Sequence, residues 1–196
     1  DIARLAGVSK STVSQYLNKR YEFMSEETRK RIEEVIQKTG YLPNALARSL
    51  KVKKTHTIGV IVASILYDYS TAVMRGIEDY CNLHQYNVFL CNADHDPEKE
   101  RKYLEMLFSK QVDGLILAST GENNELLRQY IKRGFPIVLI DRRLDDVPAD
   151  GVFSNNFQGA LDLVHHLIRL GHRKIALLSP ELREVSSRKE RYGGYM

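Results

Sequence analysis

The residues best placed to do chemistry in this sequence are short, polar and close together. Ser9, Lys10, Ser11, Thr12, Ser14, Gln15 and Asn18 fall in one short stretch. If a helix starts after Ser9 and runs to about Leu17, Val13, Tyr16 and Leu17 form its inward face, leaving Lys10, Ser11, Ser14 and Gln15 outward. A Gln side chain can pair bidentately with adenine and a Lys can reach guanine, so Lys10, Ser11 and Gln15 are candidates for reading base edges. Ser9, Thr12, Ser14 and Asn18 are of the type that holds phosphate oxygens. The alternative is a small helical domain whose polar residues are only solvated.

Such residues need a scaffold that pushes one helix forward. Ile2, Ala3, Leu5 and Ala6 have helical spacing, and Gly7-Val8 makes the turn, where Gly accepts a positive φ. Ser9 then caps the second helix. A third helix is expected from Ser25 to Lys38, with Ser25 and Thr28 at its cap. Glu26 and Glu27 suit its positive end, and Ile32, Val35 and Ile36 form its buried stripe. This is a helix-turn-helix pattern, in which the start of the second helix enters the major groove. Downstream, Pro43 keeps Leu42 out of helical geometry and Asn44 caps a two-turn helix over 44–51 that is too short to be stable alone in water. Followed by a basic linker, it is a candidate for folding on DNA. Asn44, Ala47, Arg48 and Lys51 are its candidate contacts, and Leu50 is an apolar wedge for a minor-groove step. The alternative is an ordinary linker with helical tendency.

The charge distribution points the same way. Residues 1–56 hold 12 Lys/Arg against 6 Asp/Glu, a net of +6, whereas residues 57–196 hold 17 against 19, a net of −2. A local basic excess is the electrostatic footprint of a polyanion partner, or else a solubilising segment. No apolar run approaches the ~18–20 residues that span a bilayer, and no signal-peptide pattern is evident. A cytoplasmic protein is expected, with no membrane partner. Cys81 and Cys91 cannot make a disulfide scaffold and suit reduced, buried thiols.

From Thr57 the pattern alternates. Strands fit Thr57–Val62, Asn87–Cys91, Gly114–Ala118, Ile137–Ile140, Gly151–Ser154 and Lys174–Leu178. Helices fit Ser70–Leu83, Pro97–Lys110, Glu125–Arg133 and Phe157–Leu170. The order predicts a doubly wound parallel sheet, so the fold class is α plus α/β. Ligands in such sheets bind outside the carboxyl ends of the strands, here at Ala63–Asp68, Asn92–Asp94, Ser119–Thr120, Asp141–Arg142 and Ser154–Asn156. The sequence carries no G-x-G-x-x-G, P-loop, G-x-S-x-G or H-E-x-x-H, so an enzyme is not expected, nor is a cofactor. Asp94, His95 and Asp96 resemble a metal cluster only superficially, since Asp96-Pro97-Glu98 suits a helix start. His165-His166 point in different directions on a helix, and no metal is expected.

The stretch Asp1-Ile2-Ala3-Arg4-Leu5-Ala6-Gly7-Val8-Ser9-Lys10-Ser11-Thr12-Val13-Ser14 resembles the headpiece of the lactose-repressor (LacI/GalR) family of bacterial transcription regulators. So do Ser25-Glu26-Glu27-Thr28-Arg29 and Gly40-Tyr41-Leu42-Pro43-Asn44-Ala45 leading to Ala47-Arg48-Ser49-Leu50. Further on, Thr57–Val62, Asp94–Glu100, Val112–Leu117, Pro136–Arg142 and Leu170–Ala176 are similar to the family's core.

The resemblance implies a headpiece over 1–43, a hinge helix and linker over 44–56, a core N-subdomain over 57–154 and the start of a C-subdomain over 155–196. It implies a core of the periplasmic-binding-protein type, a chain truncated at both ends and an incomplete second subdomain. It also implies a homodimer on near-palindromic double-stranded operator DNA, acting as a repressor under control of a small effector, a sugar or sugar acid, bound between the subdomains. By position, Leu66, Tyr67, Asp68, Tyr69, Asp141, Arg142 and Arg191 carry over as effector contacts. The first cleft loop departs from the family's usual Asp and Ser-Asn-Pro-Phe-Phe. A binding protein of the periplasmic sugar-binding type without a DNA-binding role is the alternative, and it would need an export signal and no helix-turn-helix.

Overall fold

The computed structural model describes residues 2–41, 54–182 and 185–196. Two compact units divide the chain, 1–53 and 54–196. The helix expected at 44–51, with Asn44, Ala47, Arg48, Leu50 and Lys51, lies outside the described residues.

The first unit holds α1 (Ile2–Leu5), α2 (Lys10–Leu17), a short 3₁₀ turn (Tyr21–Phe23) and α3 (Glu26–Thr39). Gly7 turns the chain between α1 and α2 with φ +61°, which a residue with a Cβ adopts only with strain. The Ser9 hydroxyl accepts the Thr12 N–H (3.1 Å) and starts α2. Ser25 does the same for α3, accepting the Thr28 N–H at 3.2 Å. Three stripes meet: Ile2, Ala3 and Ala6, then Val13, then Ile32, which is fully buried. Val8, Tyr16, Leu17, Val35 and Ile36 pack around them. The edge of Tyr21 meets Tyr16 (5.8 Å between centroids), and the Arg29 guanidinium lies 4.0 Å over the Tyr21 ring. The Tyr21 ring thereby ties the turn to both α2 and α3.

The second unit is built on β1 (Thr57–Val62), β2 (Asn87–Asn92), β3 (Gly114–Leu117), β4 (Ile137–Ile140) and β5 (Asp150–Val152). They form one five-stranded sheet in the order β2-β1-β3-β4-β5. Every pairing is parallel, with Ile61 opposite Cys91 and Leu117, and Leu117 opposite Leu139. Helices α4 (Asp68–Leu83), α5 (Pro97–Ser109) and α6 (Asn124–Lys132) are the crossovers. Leu104 and Leu107 of α5 and Leu127 and Tyr130 of α6 pack with Ile61, Leu115, Leu117 and Leu139 into the main core. The Asp96 carboxyl accepts the Glu98 and Lys99 N–H groups (2.9 and 3.2 Å), so Asp96 is the cap of α5. Cys81 and Cys91 are buried free thiols, and burial pushes both thiol pKa values up.

Three elements differ from expectation. The segment expected as a strand over Lys174–Leu178 forms none, and Leu178 is 96% exposed. A strand exists only through a ladder partner, and no described segment pairs with this one. The expected strand Gly151–Ser154 sits slightly earlier, at Asp150–Val152, where β4 offers its partners. A helix not foreseen, α8 (Ser186–Tyr195), packs on α7 (Asn156–Arg169). Gly194 permits this approach, because a Cβ there would lie 2.2 Å from the Phe157 carbonyl oxygen and 3.0 Å from the Ala160 Cβ.

Candidate functional site

In the first unit, capping and periodicity leave α2 with its start facing outward. Lys10 and Ser11 are exposed, Ser14 and Gln15 half-buried. The hydroxyls of Ser11 and Thr12 stand 2.6 and 2.9 Å from that of Ser9, so Ser9, Ser11 and Thr12 form a hydroxyl cluster at the helix N-terminus. Helix N-termini and such hydroxyls suit phosphate oxygens. The Asn18 amide donates to the Ser14 carbonyl at 2.7 Å and closes the other end of α2. The fold therefore uses Ser9 and Asn18 to cap α2, while Lys10, Ser11 and Gln15 remain on its outer side.

In the second unit, the strand order turns back at β1 and β3, and their carboxyl ends open a cleft. The cavity there has a volume of about 610 Å³, within the range of small-molecule sites. Val62 and Ala63 line it from β1, Ala118 from β3, and Ile140, Asp141 and Arg142 from β4. Tyr67, Tyr69 and Ser70 come from the first crossover, Asn156 from the start of α7, and Ser187, Arg188, Arg191 and Tyr192 from α8. Of the residues expected there, Tyr67, Tyr69, Asp141, Arg142 and Arg191 come together. Leu66 and Asp68 are not among the lining residues; Leu66 points to solvent (85% exposed), and Asp68 opens α4. Leu66 lies ahead of Tyr67, the N-cap of α4, and Asp68 is the first residue of the helix.

Arg142 is the centre of the polar network. It is 6% exposed, and its Nη1 donates to the Ser119 carbonyl at 2.9 Å. Its Nη2 meets His95 Nδ1 at 3.3 Å, and its Nε lies 3.7 Å from Asp141 Oδ2. Burial pulls the Arg142 pKa below its ordinary value, with Asp141 acting in the opposite direction. His95 is likewise pushed down, by burial first and then by the charges of Arg142 and Arg188, which favours the neutral ring that Arg142 can donate to. Tyr67 closes on His95 with ring centroids 6.0 Å apart. The Ser119 carbonyl is itself held from behind. Glu100, fully buried on α5, accepts from the Ser119 hydroxyl (3.3 Å), the Thr120 N–H (2.6 Å), the Thr120 hydroxyl (3.1 Å) and the Asn123 amide (2.9 Å). Asp94, His95 and Asp141 at the strand ends all take positive φ (53°, 58° and 62°), as Lys19, His56, Gln85 and Gln111 do elsewhere.

The sequence missed His95, Ser187 and Arg188 as lining residues. His95 stood in the lead-in to α5, marked only by a superficial likeness to a metal cluster with Asp94 and Asp96. Those two carboxylates serve different ends, since Asp96 caps the helix while Asp94 pairs with Lys99 and Asn92. Ser187 and Arg188 depend on α8, whose two glycines hide its helical character.

Residues 1–44 match the family described as bacterial regulatory proteins, lacI family. Residues 55–196 match that described as periplasmic binding proteins and sugar binding domain of LacI family. Among curated proteins, the chain is 45% identical over 197 residues to the probable HTH-type transcriptional regulator EndR of Paenibacillus polymyxa, covering 100% of this chain and 58% of that protein. It is 39% identical over 195 residues to the HTH-type transcriptional regulator KdgR of Bacillus subtilis (strain 168), again covering 100% of this chain and 58% of the relative. The chain thus spans little more than half the length of these relatives. Among solved structures, the lac repressor dimer bound to operator and the anti-inducer ONPF is similar at a TM-score of 0.85 and 26% identity, covering 100% of this chain and 59% of that one.

Proposed function

The chain belongs to the LacI family of bacterial regulatory proteins, and we propose that the protein it comes from is a repressor that binds a near-palindromic operator as a homodimer. A small effector, a sugar or sugar acid, controls that binding from the core cleft. The carrying observation is the union in one chain of a capped helix-turn-helix, with Lys10, Ser11 and Gln15 facing outward, and a cleft whose arginines and tyrosines suit a polar ligand. The cytoplasm is where such a protein would meet its promoter. No helix among the described residues is long and apolar enough to cross a membrane.

Ser9, Thr12, Ser14, Asn18 and the basic side chains would supply salt-dependent phosphate contacts. Asn44, Ala47, Arg48, Leu50 and Lys51 are retained from the sequence as the hinge contacts, with Leu50 as the wedge. For the second copy, a groove beside the sheet edge is lined by Ile65, Met74, Val88 and Leu90, and Ile65 and Leu90 are large exposed apolar side chains. Exposed apolar surface of this kind marks an interaction face, and the similar lac repressor is described as a dimer.

A mobility-shift assay of the full-length protein on promoter DNA, with and without candidate sugars, tests the whole reading. Within it, Gln15→Ala is expected to relax base preference at one operator position by about 1–3 kcal/mol. A binding-site selection that returns an unchanged preference removes Gln15 from base reading. Arg191→Ala in the full-length protein is expected to abolish the effector response and leave operator affinity as it was. Arg191 donates to the Asn156 amide oxygen at 2.8 Å and tethers α8 to the start of α7 in the cavity lining. A normal response in that variant would take Arg191 out of the site.

A further inference from the structure

We infer that the cleft contains a subsite for an anionic group of the ligand, a carboxylate or a phosphate, built by Arg142 and Arg188 with His95 beside them; this rests on reading the cleft as the effector site. Arg142, Arg188 and His95 all line the 610 Å³ cavity, and all three also line an adjoining cavity of about 760 Å³. They form the partition between the two spaces, open to a ligand on either side.

Asp141 and Glu100 oppose the Arg142 charge from a distance, and among the described residues neither takes up a direct hydrogen bond from it. A guanidinium has five N–H donors and no acceptor. Those of Arg142 are satisfied by neutral groups, the Ser119 carbonyl and the His95 ring, and its buried Nε has no hydrogen-bond partner. Among the described residues its ion-pair partner is Asp141, whose Oδ2 lies 3.7 Å from Nε, beyond hydrogen-bond reach. A charge buried to this degree is normally paired. Arg188 donates from Nη1 to the Glu181 carbonyl at 2.8 Å, another neutral acceptor. Its charge acts on both Arg142 and His95 in the direction that disfavours a second positive charge. Arg191, farther along α8, also donates to a neutral amide. Arg188 lies in the first turn of α8, where the helix dipole adds to the positive field. Glu122 and Glu181 stand on the adjoining cavity and Asp141 on the main one, so the partition faces carboxylates on both sides. An anion beside Arg142 and Arg188 adds a charged acceptor to the neutral ones they already have. Asp141, Tyr67 and Tyr69 then remain for hydroxyls and the ring.

Calorimetry on the full-length protein tests this with D-glucose, D-gluconate, glucose 6-phosphate and inorganic phosphate as probes, chosen because the three sugars share a six-carbon skeleton. Wild type is expected to bind gluconate or glucose 6-phosphate about tenfold or more tightly than glucose, with the preferred one separating a carboxylate from a phosphate site. Inorganic phosphate should compete with it. Arg188→Gln, on a half-buried side chain, should remove that preference by lowering the affinity for the anionic sugars far more than that for glucose; Arg142→Lys, which keeps a charge in the buried position, should weaken it. The subsite is overturned if glucose equals the anionic sugars in wild type. It is equally overturned if the preference survives Arg188→Gln, or if neither the anionic sugars nor high-millimolar phosphate bind. The two readings fail separately. Anion binding that depends on Arg188 but does not alter operator affinity keeps the subsite and rejects effector control. Operator release by neutral sugars without anion preference does the reverse.

Discussion

Ile32→Ala is expected to unfold the first unit and with it to eliminate operator binding. Ile32 is fully buried in α3, at the point where α1 and α2 meet it through Ile2, Ala3, Ala6 and Val13. A large-to-small change at such a site costs about 2–5 kcal/mol. A domain of this size rarely holds more than about 3–5 kcal/mol in its core. The substitution therefore removes most or all of the stability of the unit that presents Lys10, Ser11 and Gln15. Loss of the headpiece contribution to helical circular dichroism, together with loss of operator binding, is the expected record, while ligand binding by the core persists. An Ile32→Ala protein that keeps operator affinity within a few-fold would show that the unit draws its stability from elsewhere.

Glu100→Ala is expected to destabilise the core unit by about 3–4 kcal/mol and to weaken ligand binding in the same variant. The first effect comes from leaving a cavity and the buried Thr120 N–H, the Asn123 amide and two hydroxyls without their acceptor. The second comes from geometry, because Glu100 fixes the bend whose Ser119 carbonyl orients Arg142. Glu100→Gln places an NH₂ against donors and should fall between wild type and Glu100→Ala. Urea unfolding monitored on the core reads the first effect as a lowered midpoint at constant slope. A midpoint shift with undiminished ligand affinity would separate Glu100 from the positioning of Arg142.

What was legible in the sequence is what local chemistry decides. The Ser9 and Ser25 caps, the turn at Gly7 and the stripe of Ile32, Val35 and Ile36 need only neighbours a few residues away, and the first unit follows from them. Strands β1, β3 and β4 are buried on both sides and read as continuous apolar runs. Helix α5 is announced by Asp96-Pro97. The rest depends on partners distant in the chain. Lys174–Leu178 has the composition of a strand, but pairing is a property of two segments. Helix α8 ends in Gly193-Gly194, a poor helical sequence, and holds because Gly194 sits against the Phe157 carbonyl. The cleft divides in the same way. Asp141 and Arg142 are foreseeable from the end of β4, and Arg191 came from resemblance alone. His95 and Arg188 are brought to Arg142 by a strand-end bend and an unforeseen helix. The net positive character of the partition was therefore invisible until the sheet was assembled.

The aromatic lining of the cleft has an optical consequence. These 196 residues contain 11 tyrosines and no tryptophan, and Tyr67, Tyr69 and Tyr192 all border the cavity. Tyrosine emission from these residues meets no indole among them, and three of the 11 tyrosines lie where a ligand would sit. Replacing Tyr69, which is half-exposed at the rim, with tryptophan would give the segment a single red-shifted fluorophore at the entrance of the cleft. Occupancy of the cleft would then be readable in real time, without labels and without DNA present.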